Sequence, residues 1–175
     1  SYSFPLKEPL VLEDGELLVS TLGIRFFSFD PGAAPAGRTA AMIMIPTRND
    51  AWWTELRNRD HPAYTVAKEE VTRRIIHALD GELPGLAPAV ELTDLSTPAT
   101  LIRYTNNWHG SYEGWLPTIK TMGAKFSGTL DGLSNFHMVG QWLNPGGGLP
   151  PCGMDGRRLA KRLCKAEGRA FRTMP

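Results

Sequence analysis

The residues best suited to chemistry lie in one run, residues 140–163, GQWLNPGGGLPPCGMDGRRLAKRL. A strand-like end at Gly140 with Gln141, then Pro145, Gly146, Gly147, Gly148 and Leu149, lead into a helix-like segment. Such places bring backbone N–H groups against an anion or a polar ring. Glycine has no Cβ, so a flat ligand can lie directly on the chain. Pro150 and Pro151 fit a helix only in its first turn, so the helix starts close to them. Its N–H groups and positive dipole end then face the space beside residues 146–148. Gly153, Gly156, Ala160 and Cys164 recur at helical spacing as a face small enough to meet another backbone closely. Arg157, Arg158, Lys161, Arg162 and Lys165 lie opposite and read as a solvated basic side. By residue type alone, the stretch suits a ligand turn and a tight surface loop equally.

Other chemistry is thinly represented. There is no Ser-His-Asp order, no metal-binding histidine pair and no carboxylate pair spaced for general acid–base work. His61, His77, His109 and His137 are scattered, and His77 reads as a surface residue of a helix. Trp108, Tyr112 and Trp115 suit an apolar channel or an ordinary core. Trp52 and Trp53 are adjacent, so one faces the core and the other an interface or solvent.

The 175 residues allow one domain with a real core, or one and a part. The net charge of +1 argues against a nucleic-acid binder, which usually carries a concentrated basic face. Cys152 and Cys164 have no metal-ligand spacing and suit a reducing compartment. No apolar run is long enough for a membrane span, and the N-terminal residues lack signal-peptide order. These features fit a cytoplasmic location, with weak peripheral membrane association left open.

The elements that must position these residues follow from composition and period. Residues 16–29, rich in β-branched and aromatic side chains, predict a strand. DPGAAPAG is a loop, and residues 38–45 predict a second strand, antiparallel to the first. Asn49 or Asp50 caps a short helix through AWWTEL. Tyr64, Ala67, Val71, Ile75 and Leu79 form one apolar stripe, predicting a helix over 62–80. Asp60 is its N-cap, Pro62 sits in its first turn, and Gly81 is its C-cap. Residues 89–95 alternate in polarity and predict a third strand. Ser96 or Thr97 caps a second helix starting at Pro98. Beyond Asn107, glycines and aromatics without a helical period predict irregular loop, then a brief strand in NFHMVG.

Several stretches, in order, resemble the C-terminal part of the phytoene desaturase-like FAD-dependent oxidoreductases, the group of carotenoid desaturases, carotenoid isomerases and retinol saturase. They are FDPGAAPAGRTA (29–40), KEEVTRRII (68–76), ELPGL (82–86), TPATLIRYTNNWHGSYEGW (97–115) and GQWLNPGGGLPPCGMDG (140–156). The ordered set covers most of residues 19–163. In that family the final glycine-rich turn and helix complete the FAD site beside the flavin ring and ribityl chain. The resemblance therefore implies cofactor contacts at Gly140, Gln141, Pro145, Gly146, Gly147, Gly148 and Leu149. It implies substrate contacts at Trp108, His109, Tyr112 and Trp115, and an apolar, isoprenoid or polyene-like substrate. Gln141 departs from the acidic residue frequent in this architecture, and Asp155 from the small or hydroxyl residue of many relatives.

The family's G-x-G-x-x-G fingerprint does not occur in these residues. The expectation is an α/β (α+β) fold, with a mixed, largely antiparallel sheet of strands near 17–29, 39–45 and 89–95 packed by helix 62–80. Residues 1–133 would be part of a substrate-binding domain. Residues 134–175 would complete an FAD-binding domain whose Rossmann part is absent. As a fragment the chain would be inactive and bind FAD poorly, and its tail would be mobile or drive a homodimer. Two other readings are a non-catalytic binding or assembly module and an amine oxidase-like flavoenzyme fragment. The latter fits the TPAT and PGGG stretches less well.

Overall fold

The computed structural model describes residues 1–12, 15, 17–121, 123, 124, 126–143 and 146–173. The fold is mixed α+β, with a three-stranded antiparallel sheet in the order β1-β2-β3. The strands are β1 (Tyr2–Leu12), β2 (Leu17–Phe26) and β3 (Ala41–Ile43). Four α-helices occur among the described residues: α1 (Asp50–Arg59), α2 (His61–Glu82), α3 (Pro98–Thr105) and α4 (Leu149–Ala166). The chain forms two compact units, Ser1–Gly110 and Ser111–Pro175.

In the first unit the sheet presents Leu12, Val19, Leu22 and Ile24 to the core. Tyr64, Val71, Ile75 and Leu79 of α2 meet them, with Trp53 of α1 and Ala99 of α3. The apolar stripe of α2 is thus the predicted one, with Ala67 packed at its border. Leu22, Trp53 and Leu79 are the largest fully enclosed side chains. Each such side chain contributes roughly 1.5–3 kcal/mol through its burial. Of the adjacent tryptophans, Trp53 is core at 2% exposure and Trp52 packs at its edge.

Asp60 separates α1 from α2. Its N–H donates to Leu56 O at 2.9 Å, closing α1, and its carboxylate accepts from the Ala63 N–H at 2.9 Å, opening α2. Pro62 occupies the first turn, where a missing N–H has no helical partner to lose.

Four expectations need correction. The helix does not stop at Gly81 but runs on to Glu82, capped at Leu83, whose N–H donates to Leu79 O at 2.7 Å. Pro84 ends it by disfavouring a helical Leu83. Residues 89–95 are not a strand: a short 3-10 helix covers Ala87–Ala89, and residues 90–97 have no regular structure. Leu92 points almost wholly to solvent at 91% exposure, so the alternation there has no sheet face to satisfy. The NFHMVG stretch is likewise not a strand. Met138 N–H donates to Gly128 O at 2.7 Å, and no ladder follows. The third strand is instead β1, which pairs with β2 from Tyr2↔Ile24 to Leu12↔Leu17. Pro5 and Pro9 hide it in the sequence, yet an edge strand tolerates prolines, and the register shifts between Pro5 and Leu10. The predicted strands at 16–29 and 38–45 do pair antiparallel, but more briefly, as Leu17–Phe26 and Ala41–Ile43.

The second unit holds irregular chain and α4. α4 begins at Leu149 with Gly148 as N-cap, immediately before the two prolines as their chemistry requires. No described helix is long and apolar enough to cross a membrane.

Candidate functional site

The TPAT segment works as a helix start. Thr97 Oγ1 accepts from the Thr100 N–H at 3.3 Å, and Thr100 Oγ1 accepts from the Thr97 N–H at 3.2 Å, a reciprocal capping box. Tyr64 Oη lies 2.9 Å from Thr97 Oγ1 and ties this cap into the core. α3 then ends at Asn106, a left-handed residue whose N–H donates to Ile102 O at 2.8 Å. The chain turns through Trp108–Gly110 against the start of α3. A Cβ on Gly110 would lie 2.6 Å from Pro98 O, so only glycine fits there.

This turn places His109 at φ 52°, a left-handed conformation that costs a non-glycine residue about 1–2 kcal/mol. Its Nδ1 sits 2.7 Å from Asp50 Oδ2, in the first turn of α1. The Trp108 ring stands edge-on to the imidazole, 4.2 Å between centroids. Strain, a carboxylate partner and an aromatic neighbour converge on one exposed histidine. Such strain persists only where the surroundings over-determine it. Asp50 is the residue that sequence reasoning assigned only to helix capping. Asn49 is the N-cap instead, without a side-chain capping bond. Nothing in the spacing of positions 50 and 109 announces the pair.

The second unit contains Tyr112, Trp115 and the glycine-rich turn. Tyr112 is exposed. Trp115 is tied to the turn: its indole Nε1–H donates to Trp142 O at 3.0 Å, and its carbonyl accepts from the Gly146 N–H at 2.7 Å. Its ring also stands edge-on to Trp142 at 5.2 Å. Sequence reasoning gave Gly114 and Trp142 no role, yet both hold the turn. A Cβ on Gly114 would collide with the Gln141 carbonyl, and one on Gly147 would lie 2.6 Å from the Gly114 N.

The turn glycines therefore divide into two kinds. Gly147 is packed against the chain itself, its missing Cβ admitting Gly114 and Gln141. Gly140, Gly146 and Gly148 have φ of 116°, 94° and 91°. At Gly140 and Gly146 a Cβ would meet nothing within 4 Å, and at Gly148 only Glu113 Oε1, at 3.9 Å. Because Pro150 and Pro151 lack N–H groups, the start of α4 offers the N–H groups of Gly148 and Leu149 instead of four. Leu149 is 89% exposed. Two donors and the Glu113 carboxylate thus share one open edge. Such an edge can both donate and accept hydrogen bonds. Pro145 lies outside the described residues, and Gln141 is half-buried beneath the turn.

The four substrate-contact candidates fall in different units, Trp108 and His109 in the first, Tyr112 and Trp115 in the second. His77 is exposed on α2, as its position on the polar face predicts. Both cysteines are free thiols and half-buried. Comparison with protein-family models, with curated proteins and with solved structures gives no match.

Proposed function

We propose that these residues are the C-terminal part of an FAD-dependent oxidoreductase that acts on an apolar, isoprenoid- or polyene-like substrate by hydride transfer. The observation that carries the reading is the open edge at Gly146, Gly148 and Leu149, which stands where the ordered motif set calls for the flavin-end turn. Residues 1–133 then act mainly in substrate binding, and residues 134–175 complete the cofactor domain. Bound FAD supplies two-electron chemistry. The chain's share is to orient and to bias charge. The N–H groups of Gly148 and Leu149 donate to the cofactor's carbonyl edge, and the positive end of α4 favours negative charge there. His109, held by Asp50, offers a positioned polar group beside Trp108. Exposed Leu116, Ile119, Phe126 and Val139 supply apolar surface that suits a substrate path or a further domain.

Titration of the isotope-labelled chain with flavin mononucleotide tests this reading. Amide shifts confined to residues 146–149 and their neighbours are expected, with Gly148→Val abolishing them. Absence of any shift at millimolar flavin would remove the cofactor assignment. A second reading, a binding or assembly module without redox chemistry, is favoured by Gly114 and Gly147, whose lack of Cβ serves the chain's own packing. It predicts no flavin shifts and a well-folded second unit.

A further inference from the structure

The net charge of +1 hides a strong asymmetry. Residues 157–173 contain seven lysines and arginines and one carboxylate, Glu167, so the rest of the chain is net acidic. The structure concentrates these cations further. Gly168, at φ 67°, turns the chain back after α4: its N–H donates to Lys165 O at 3.2 Å, and the Arg169 N–H donates to Cys164 O at 2.7 Å. These two bonds are the Schellman pattern, which reverses the chain at a left-handed glycine. The returning tail lays Phe171 against the basic face of α4. Arg157 Cζ stands 5.3 Å and Lys161 Nζ 5.7 Å from the centroid of its ring. Between helix and tail lies an open groove of about 610 Å³, lined by Arg157, Lys161, Lys165, Arg169 and Phe171. Among the described residues, Glu167 lies 3.5 Å from Arg169, and Asp155 lies 3.2 Å from Arg158, which does not line the groove.

We propose that this groove binds phosphoryl groups of a small ligand, a diphosphate matching it best. Several cations around one space favour an anion of multiple charge over a single carboxylate. Arginine supplies a planar fork for phosphate oxygens, and lysine a point charge. The Phe171 ring restrains two of these long side chains before any ligand arrives, lowering the entropy lost on binding. Arg157 lies about 12 Å along the helix from Leu149, so the groove is separate from the glycine-rich turn.

The probe is inorganic pyrophosphate, titrated into the isotope-labelled chain at constant ionic strength. Citrate, phosphatidylglycerol vesicles and a short oligonucleotide serve as comparison arms. Saturable amide shifts at residues 165–173 are expected with pyrophosphate and not with citrate. Arg157→Gln combined with Lys161→Gln, both exposed, should weaken binding by about tenfold or more. Phe171→Leu retains every charge and should weaken it by a smaller factor. An unchanged amide dispersion in each variant shows that the fold persists. Vesicle binding in addition to pyrophosphate binding identifies a lipid headgroup as the phosphoryl source. The proposal is overturned if pyrophosphate gives no saturable shift, or if citrate matches it. Vesicle or oligonucleotide binding without pyrophosphate binding overturns it too, as does a double variant that binds like the parent.

Discussion

His109 Nδ1 and Asp50 Oδ2 meet at 2.7 Å, so a histidine in a strained turn is held by a carboxylate at the start of a helix distant in sequence. Two forces oppose each other here, the hydrogen bond holding the ring and the left-handed backbone resisting any side chain. His109→Ala keeps the strain and loses the bond, whereas His109→Gly loses both. Urea denaturation should therefore find His109→Gly more stable than His109→Ala by about 1 kcal/mol. Equal stability of the two variants would mean that the turn carries no strain. A double-mutant cycle with Asp50→Asn should give a coupling of about 0.5–1 kcal/mol, as expected for a partly exposed pair.

The glycines of the turn should separate by kind. Gly147→Ala and Gly114→Ala force backbone apart and should melt the second unit, exposing its amides to hydrogen exchange. Gly146→Ala meets open space and bears only the left-handed backbone penalty, about 1 kcal/mol. Similar exchange protection in all three variants would contradict the close packing of Gly114 on Gly147.

Leu79→Ala tests the core. Leu79 is only 1% exposed where α2 meets the sheet, and its truncation should cost about 2–5 kcal/mol. Leu92→Ala, in the segment that is not a strand, should stay within about 0.5 kcal/mol of the parent.

Glu70 links stability to pH. Hydrogen bonds from Arg73 and Arg74 hold its carboxyl down at about 2, from an ordinary 4.5. A depressed carboxylate contributes stability that is full above its unfolded value and fades as pH falls through the folded one. Glu70→Gln should therefore be slightly less stable than the parent at neutral pH. The difference should shrink between about pH 4.5 and about pH 2 and vanish below that range. The pair is exposed, so salt should also reduce it. A difference that persists at pH 2 would assign the effect to packing.

On the proposed reading the chain should purify colourless, because it has no G-x-G-x-x-G stretch to contact the adenosine and pyrophosphate of FAD. A yellow preparation with about one flavin per chain would overturn this. Residues 134–175 should dock on a second copy, with their exchange slowing as concentration rises, since apolar surface left in water costs roughly 25 cal/mol per Å². Light scattering across a concentration series, with hydrogen exchange, reads both. A monomer with a strongly protected tail would sink the idea of an absent partner surface.

What the residues determined by themselves was local. The stripe on α2, the Asp60 and Thr97 caps, and the start of α4 at its prolines follow from short-range rules of period, capping and fixed φ. Those rules act within a few residues, so they survive without knowledge of the fold. Tertiary structure decided which alternating segment became a strand. Residues 89–95 have the pattern but pair with no strand, whereas β1, despite Pro5 and Pro9, pairs along β2 because an edge strand can leave N–H groups unpaired. It also decided the candidate sites. Asp50 reaches His109 only through the packing of α1 on α3 and its following turn. Phe171 reaches Arg157 only because Gly168 turns the tail back, and Gly114 excludes a side chain only because Gln141 and Gly147 pack against it. Contacts between distant segments depend on where whole elements settle, and residue spacing alone does not encode that.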